Sequence, residues 1–273
     1  MSEQTRTFDE LGYGTVALPR EGIPLFSLML KEGGAYQLEG VVYRAFDPER
    51  PQTVWPPAKE GVVAGFTKGR TRDFDLNVGV SFAVGAAAAL FGVKLPAFIK
   101  DLGAAFGVAF KDGRKLRATF DNLQQYYVFA DTLRDTLEGR KESVRAEYVR
   151  KKLRAGDACV VFDQLKSTSF CVEALDGKSA LVKGDLTVIK DVVGAHGNVG
   201  WGNEAQTEIE FDGAAPLVVA VKALKLAMDK DGSLRTGAQA GPPVKMMGPE
   251  AGGASPLEVF PADRPIFIVP SVG

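Results

Sequence analysis

Apolar and polar positions follow different periods along the chain, and the changes of period divide it. Residues 12–30 hold two short apolar stretches separated by Pro19, Gly22 and Pro24, which predicts strand, turn, then strand or short helix. Leu38–Phe46 predicts another short strand. Pro48, Pro51, Pro56 and Pro57 exclude a regular element between Asp47 and Pro57, since each lacks a donor and fixes its own φ. From Leu76 to Val93 no residue is charged, a length that borders on a membrane-crossing helix. Its alanines and glycines bury little area per residue, so Ser81–Phe91 predicts a buried helix of small side chains. Pro96 starts a second helix, with Phe98, Ile99, Leu102 and Phe106 turned inward.

Near Gly107 the period changes. Val108 and Phe110, then Leu116, Ala118 and Phe120, alternate on either side of Asp112-Gly113, a hairpin signature. Tyr126–Ala130 either prolongs the sheet or leads into a helix. Between Asp131 and Arg154, Leu133 and Leu137 lie four apart, as do Val144 and Tyr148, and two amphipathic helices broken near Gly139 fit. Positive charge gathers late, at Arg145, Arg150, Lys151, Lys152 and Arg154. This group makes either a solvated face tied by pairs such as Glu147 with Lys151, or a surface for anionic lipid. No base-reading or stacking motif accompanies it, so nucleic acid is not an expected partner.

Beyond Gly156 the period is two. Ala158–Asp163, Thr168–Leu175, Ser179–Ile189, Thr207–Phe211 and Leu217–Met228 are predicted strands. Asp176-Gly177, the glycine-rich run 195–202 and Asp212-Gly213 are their predicted links. The whole predicts an α+β fold: one twisted, largely antiparallel sheet with helices packed on it. In residues 237–256, thirteen of twenty are Gly, Ala or Pro, which predicts a linker. Leu257, Val259, Phe260, Ile266, Phe267, Ile268 and Val269 then form an apolar tail that must dock or expose a surface soluble proteins avoid. Burying about 500–800 Å² of it contributes on the order of 12–20 kcal/mol before ordering costs. The expected organisation is a body over 1–235, a linker over 236–256 and a docked segment over 257–273.

Composition narrows the function classes. The chain has 273 residues and a formal net charge of -1, with 45% hydrophobic and 25% charged residues, so neither global disorder nor a whole-body field for nucleic acid is expected. Cys159 and Cys171, with one histidine, are too few for a disulfide framework or a Cys/His metal site, and no cofactor is expected. The first twenty residues contain neither a secretory leader nor a cysteine to acylate, which predicts synthesis as a soluble, cytoplasmic protein. Catalytic candidates are thin. His196 sits among glycines, the run 79-GVSFA-83 around Ser81 lacks the closing glycine of a nucleophile elbow, and Lys68 in 61-GVVAGFTKGRT-71 is misplaced for a phosphate loop. An enzyme is not expected.

Several stretches together resemble the bacterial gasdermin family: 11-LGYGTVALPREGIPLFSLMLKEGG-34, 61-GVVAGFTKGRTRDFDLNVG-79 with the small-residue helix after it, 126-YYVFADTL-133, and 216-PLVVAVKALKLAMDKDG-232. The resemblance implies a monomer held inactive until a neighbouring protease removes a short C-terminal segment. The released body then oligomerises in the inner membrane as a pore and kills the cell in defence against phage. On that reading residues 257–269 stand at the inhibitory position. Arg235 and Lys245 are the only basic residues between Lys230 and Arg264, and so the candidate cleavage sites for a trypsin-like activator. The acylated N-terminal cysteine common in that family has no counterpart at positions 2–20. Apart from the name, a chain that enters lipid through strands must do so as a closed barrel, and residues 70–110 and 131–190 are the expected hairpin sources. A non-enzymatic binding or scaffold protein with a docked tail is the alternative.

Overall fold

The computed structural model describes residues 6–20, 23–32, 35–46, 55–62, 69–70, 73–91, 96–140, 144, 146–194, 198–201 and 207–240. The N-terminal strands are β1 (Arg6–Thr7), β2 (Gly14–Arg20), β3 (Ser27–Glu32) and β4 (Ala35–Val41), with a single 3-10 turn at Asp9–Leu11. Helix α1 (Val42–Phe46) precedes β5 (Lys59–Val62), β6 (Gly69–Arg70) and β7 (Phe74–Asp75). Helices α2 (Leu76–Leu90) and α3 (Pro96–Ala109) lead to β8 (Lys115–Asp121) and β9 (Gln124–Tyr127). Then come α4 (Ala130–Leu137), α5 (Glu147–Ala155), β10 (Ala158–Leu175), α6 (Thr187–Val193), β11 (Asn198–Trp201), β12 (Glu208–Met228) and β13 (Leu234–Ala240).

All thirteen described strands join one open, largely antiparallel sheet. Its frame is an antiparallel ribbon of β10 and β12, 18 and 21 residues long, paired from Ala158↔Leu226 to Glu173↔Glu208 with three register shifts between. Short strands cover both outer edges of this ribbon. Along β10 lie β3, β9 and β8 in turn; along β12 lie β13, β2 and β11. Strands β4 and β5 extend β3 and β9, β6 and β7 pair with β8, and β1 runs parallel to β6.

The largest of these shifts forms a waist. Between Ser167↔Leu217 and Ser169↔Asp212, β12 advances five residues while β10 advances two, a bulge that strengthens the local twist. Ser167 Oγ holds this bend, lying 2.5 Å from the Asp121 carbonyl and 2.6 Å from that of Ser169, and accepting from Ser169 N–H at 3.1 Å. On one side of the waist the largest core forms, where Phe120, Phe170 and Phe211 meet α2, α3 and α6. On the other, Leu133, Leu137, Val149 and Leu153 of α4 and α5 pack against Val160, Leu224 and Leu226.

Several sequence expectations are corrected. The predicted hairpin about Asp112-Gly113 is the end of α3, a turn, and β8. Phe98, Leu102, Ala105, Phe106 and Ala109 share an inward helical face, and this packing carries the helix through Gly107 with Val108 exposed. Strands expected at Ala158–Asp163 and Thr168–Leu175 are one strand, as are Thr207–Phe211 and Leu217–Met228. Asp212-Gly213 lies inside β12 at the bulge, where a Cβ on Gly213 would stand 2.7 Å from the Leu90 carbonyl at the end of α2. Asp176-Gly177 does turn the chain, but Ser179–Ile189 contributes only an isolated bridge at Leu181 before α6 begins. The strand predicted over Leu38–Phe46 stops at Val41 and becomes α1. In α5, Val149 and Leu153 are the buried pair and Tyr148 is exposed.

Candidate functional site

Above the waist, β8, β10 and β12 present an alternating surface. Leu116, Ala118 and Phe120, then Phe170, Val172 and Ala174, then Ile209 and Phe211 point into the core. Phe120, Phe170 and Phe211 are direct cross-strand neighbours, with ring centroids 5.6 and 4.8 Å apart, the second pair stacked at 14°. Each such aromatic pair contributes about 0.5–1.5 kcal/mol beyond the area it buries. Phe106 of α3 stacks on Phe211 at 6.1 Å and Phe82 of α2 meets Phe120 edge-on at 6.0 Å. The opposite face is polar: Arg117 binds both Asp73 oxygens at 2.9 and 3.3 Å and reaches Glu173 at 3.4 Å, with Glu208 and Glu210 alongside. Thus a two-faced sheet, apolar on one side and charged on the other, has its apolar side covered by helices.

Small residues let that cover sit close. A Cβ on Gly79 of α2 would lie 2.6 Å from Leu116 Cβ, and one on Gly184 2.6 Å from the Ala109 carbonyl. Among the described residues no helix is long and apolar enough to cross a membrane, a statement that leaves strands untouched.

The late basic group is divided by the fold. Arg150 donates to Glu147 at 2.8 Å and to the Val144 carbonyl at 2.7 Å, so its partner is Glu147, in place of the expected Glu147–Lys151 pair. Lys152 pairs with Glu32 on β3 at 2.8 Å, where Tyr148 also donates, and these bonds hold the Glu32 carboxyl below its usual range. Lys151 and Arg154 face solvent. Arg145 lies outside the described residues.

Of the cleavage candidates, Arg235 belongs to β13, opposite Ala227 of β12, and its guanidinium bonds Asp229 at 2.6 Å. Strand β13 continues past Arg235 to Ala240 because β12 offers it a partner edge. Thr236 N–H and Oγ1 both donate to one oxygen of Glu138, at 2.7 and 2.5 Å, fastening β13 to the end of α4. Lys245 and the segment Leu257, Val259, Phe260, Ile266, Phe267, Ile268 and Val269 lie outside the described residues, as does His196. Ser81 is on α2, in the middle of a helix, where a nucleophile elbow requires a strand-to-helix turn. Cys159 is buried, and burial with Glu208 and Glu173 pushes the Cys171 thiol up, away from the reactive thiolate. Among the described residues no group of three His, Cys, Asp or Glu side chains could hold a metal.

One cluster escapes sequence reading. Asp163 of β10, 4% exposed, accepts from Tyr13 Oη, 3.0 Å from each of its oxygens, and from Gln125 Nε2 at 2.9 Å. Gln125 Nε2 also reaches Tyr13 Oη at 3.0 Å. Lys222 Nζ of β12 stands 3.8 Å from Asp163 and 4.1 Å from the centre of the Tyr13 ring. Burial raises the Asp163 carboxyl above its ordinary value against the pull of Lys222, and burial lowers the Lys222 ammonium against the pull of Asp163. The available signal is a charge inside an otherwise apolar run: Asp163 closing ACVVF and Lys222 dividing VVAVKAL.

The two-faced sheet, its helical cover and the long central ribbon define an α+β class. A model of the bacterial gasdermin family matches residues 16–233. A gasdermin of Lysobacter enzymogenes is 25% identical over 226 residues, covering 82% of this chain and 80% of that relative. One from Vitiosangium sp. (strain GDMCC 1.1324) is 24% identical over 259 residues, covering 91% and 89%. The solved structure of a bacterial gasdermin from Bradyrhizobium tropiciagri shares the fold, with a TM-score of 0.55 at 14% identity over 84% of this chain and 88% of that one. The chain belongs to the bacterial gasdermin family. Its general function is that of the family, a pore-forming cell-death protein.

Proposed function

We propose that the intact chain is an inactive cytoplasmic monomer restrained by its C-terminal segment. A protease cuts ahead of that segment, and the released body oligomerises in the inner membrane, killing the cell as a defence against phage. The observation that carries this reading is the alternating sheet of β8, β10 and β12 beneath a cover of small-residue helices. A strand needs about nine to eleven residues to cross the hydrocarbon layer. β10 and β12 have 18 and 21. Only a closed barrel satisfies their backbone in lipid, with Phe120, Phe170 and Phe211 outward and Arg117, Glu173 and Glu210 toward water.

Lys245 is the better cleavage candidate. The bond after Arg235 belongs to a laddered strand, and a protease needs its substrate drawn out of such pairing. A cut at Lys245 keeps all of β13 on the body and removes Leu257, Val259, Phe260, Ile266, Phe267, Ile268 and Val269. Lys151 and Arg154 supply the attraction to anionic lipid.

The test is release of dye from vesicles of phosphatidylglycerol and phosphatidylethanolamine. Intact protein leaves them sealed, and protein cut after Lys245 empties them. Sealed vesicles after complete tail release overturn the reading, and a stable protein complex under the same conditions then favours a scaffold.

A further inference from the structure

We propose that the Tyr13–Asp163–Gln125–Lys222 cluster is a latch that seats β2 on β12, and that unseating β2 is a required step in the shape change. The inference rests on the pore-forming reading above and adds a conformational gate within the body, separate from the C-terminal segment.

The case begins with unequal pairing along one edge of β12. Strand β11 pairs through four consecutive residues, Asn198 to Trp201. Strand β2 pairs only through Arg20, Thr15 and Gly14, with a register shift between Val218 and Ala220 that leaves the stretch from Thr15 to Arg20 opposite just two steps of β12. A ladder so interrupted holds a strand weakly, and another interaction must seat it. Tyr13, the residue immediately before β2, is 2% exposed and brings its hydroxyl between the two Asp163 oxygens. Its ring lies under the Lys222 ammonium, so one side chain joins the start of β2 to β10 and β12 together. Gln125 adds β9 to the same junction. Val16, fully buried with Val218 and Val221, is the apolar companion of this polar seat.

Position makes the junction consequential. Strand β2 covers β12 between the stretches covered by β11 and β13, and α2 packs on β2. Lifting β2 therefore uncovers an unpaired length of the central ribbon and removes support from the helix that covers the apolar face. An unpaired edge of this kind is a template for another strand. Lifting β2 takes the Tyr13 hydroxyl away from Asp163 and Gln125 and removes one donor from a buried carboxylate, so release of the strand is opposed by this contact.

Hydrogen exchange on the intact full chain tests the latch without reference to lipid. Tyr13→Phe keeps the ring and loses the hydroxyl. It is expected to speed exchange of the paired amides of β2 and of Val218–Val221 at least tenfold, with α3 and β8 unchanged. Unchanged exchange at β2, or an equal rise everywhere, overturns the latch. A second variant, Thr15→Cys with Ala220→Cys, joins directly paired positions of β2 and β12. After cleavage at Lys245, its oxidised form is expected to leave phosphatidylglycerol–phosphatidylethanolamine vesicles sealed and its reduced form to empty them. Equal leakage from both forms overturns the latch. Failure of cleaved wild-type protein to leak refutes the pore reading instead, and the exchange comparison then decides the latch alone.

Discussion

Gly79 separates local preference from packing. It occupies the interior of α2, where replacing glycine by alanine ordinarily stabilises a helix by about 1 kcal/mol. Here the added Cβ would meet Leu116 Cβ at 2.6 Å, against an atom fixed to the β8 backbone. Overpacking of this kind costs about 1–3 kcal/mol. The clash is the larger effect, so Gly79→Ala should lower stability, measured as a fall in the urea midpoint with an unchanged slope. A helical window containing glycine announces only a weaker helix. The strand behind it, which explains the residue, holds Leu116, 37 positions later in the chain. Asp163 and Lys222 are legible in the same limited way: the sequence exposes two charges in apolar runs, while their meeting depends on the register of two strands joined through α6.

Among the elements, β13 is fastened to the body by side chains as well as by its ladder. Glu138 accepts twice from Thr236, Gly139 N–H donates to the Leu234 carbonyl at 2.9 Å, and Leu234 N–H donates to Arg140 at 2.8 Å. The bonds from Thr236 hold the Glu138 carboxyl below its ordinary value of 4.5. A carboxyl depressed in the folded state stabilises fully above its unfolded pKa, and that contribution is lost as pH falls through the folded one. Glu138→Gln removes the titration. Its stability deficit relative to wild type should therefore be constant above about pH 5 and shrink toward pH 3, as followed by urea unfolding at each pH. Helices α3 and α4 are legible because Phe98, Leu102 and Phe106, and Leu133 and Leu137, recur at helical spacing, whereas α2 is read from its uncharged run of small residues and α5 from a pair, Val144 and Tyr148, that is not its buried one. The false hairpin at Asp112-Gly113 arose where Phe110, Leu116, Ala118 and Phe120 satisfy a period of two across a helix end. The split expected at Asp212-Gly213 failed for a different reason: a glycine that usually marks a turn makes room for the end of α2.

At the scale of the molecule, a two-layer arrangement keeps an alternating sheet covered while its frame stays continuous. If the helices are the movable layer, cleaved protein on phosphatidylglycerol–phosphatidylethanolamine vesicles should lose hydrogen-exchange protection in α2 and α3 and retain it along β10 and β12. Retained protection in α2 and α3, with leakage under way, would exclude that division of roles. The amino-acid sequence by itself determined the α+β class, the periods of most elements, the family resemblance and the near-neutral charge, because these follow from local spacing and composition. Tertiary structure decided the fusion of four predicted strands into two, the edge that each short strand covers, and the residues of the basic group left facing water. It also decided the closure of the Tyr13–Asp163 junction. Each of these depends on which distant segment lies alongside, and a hydrogen-bond register or buried charge pair has no energy until both partners are brought together.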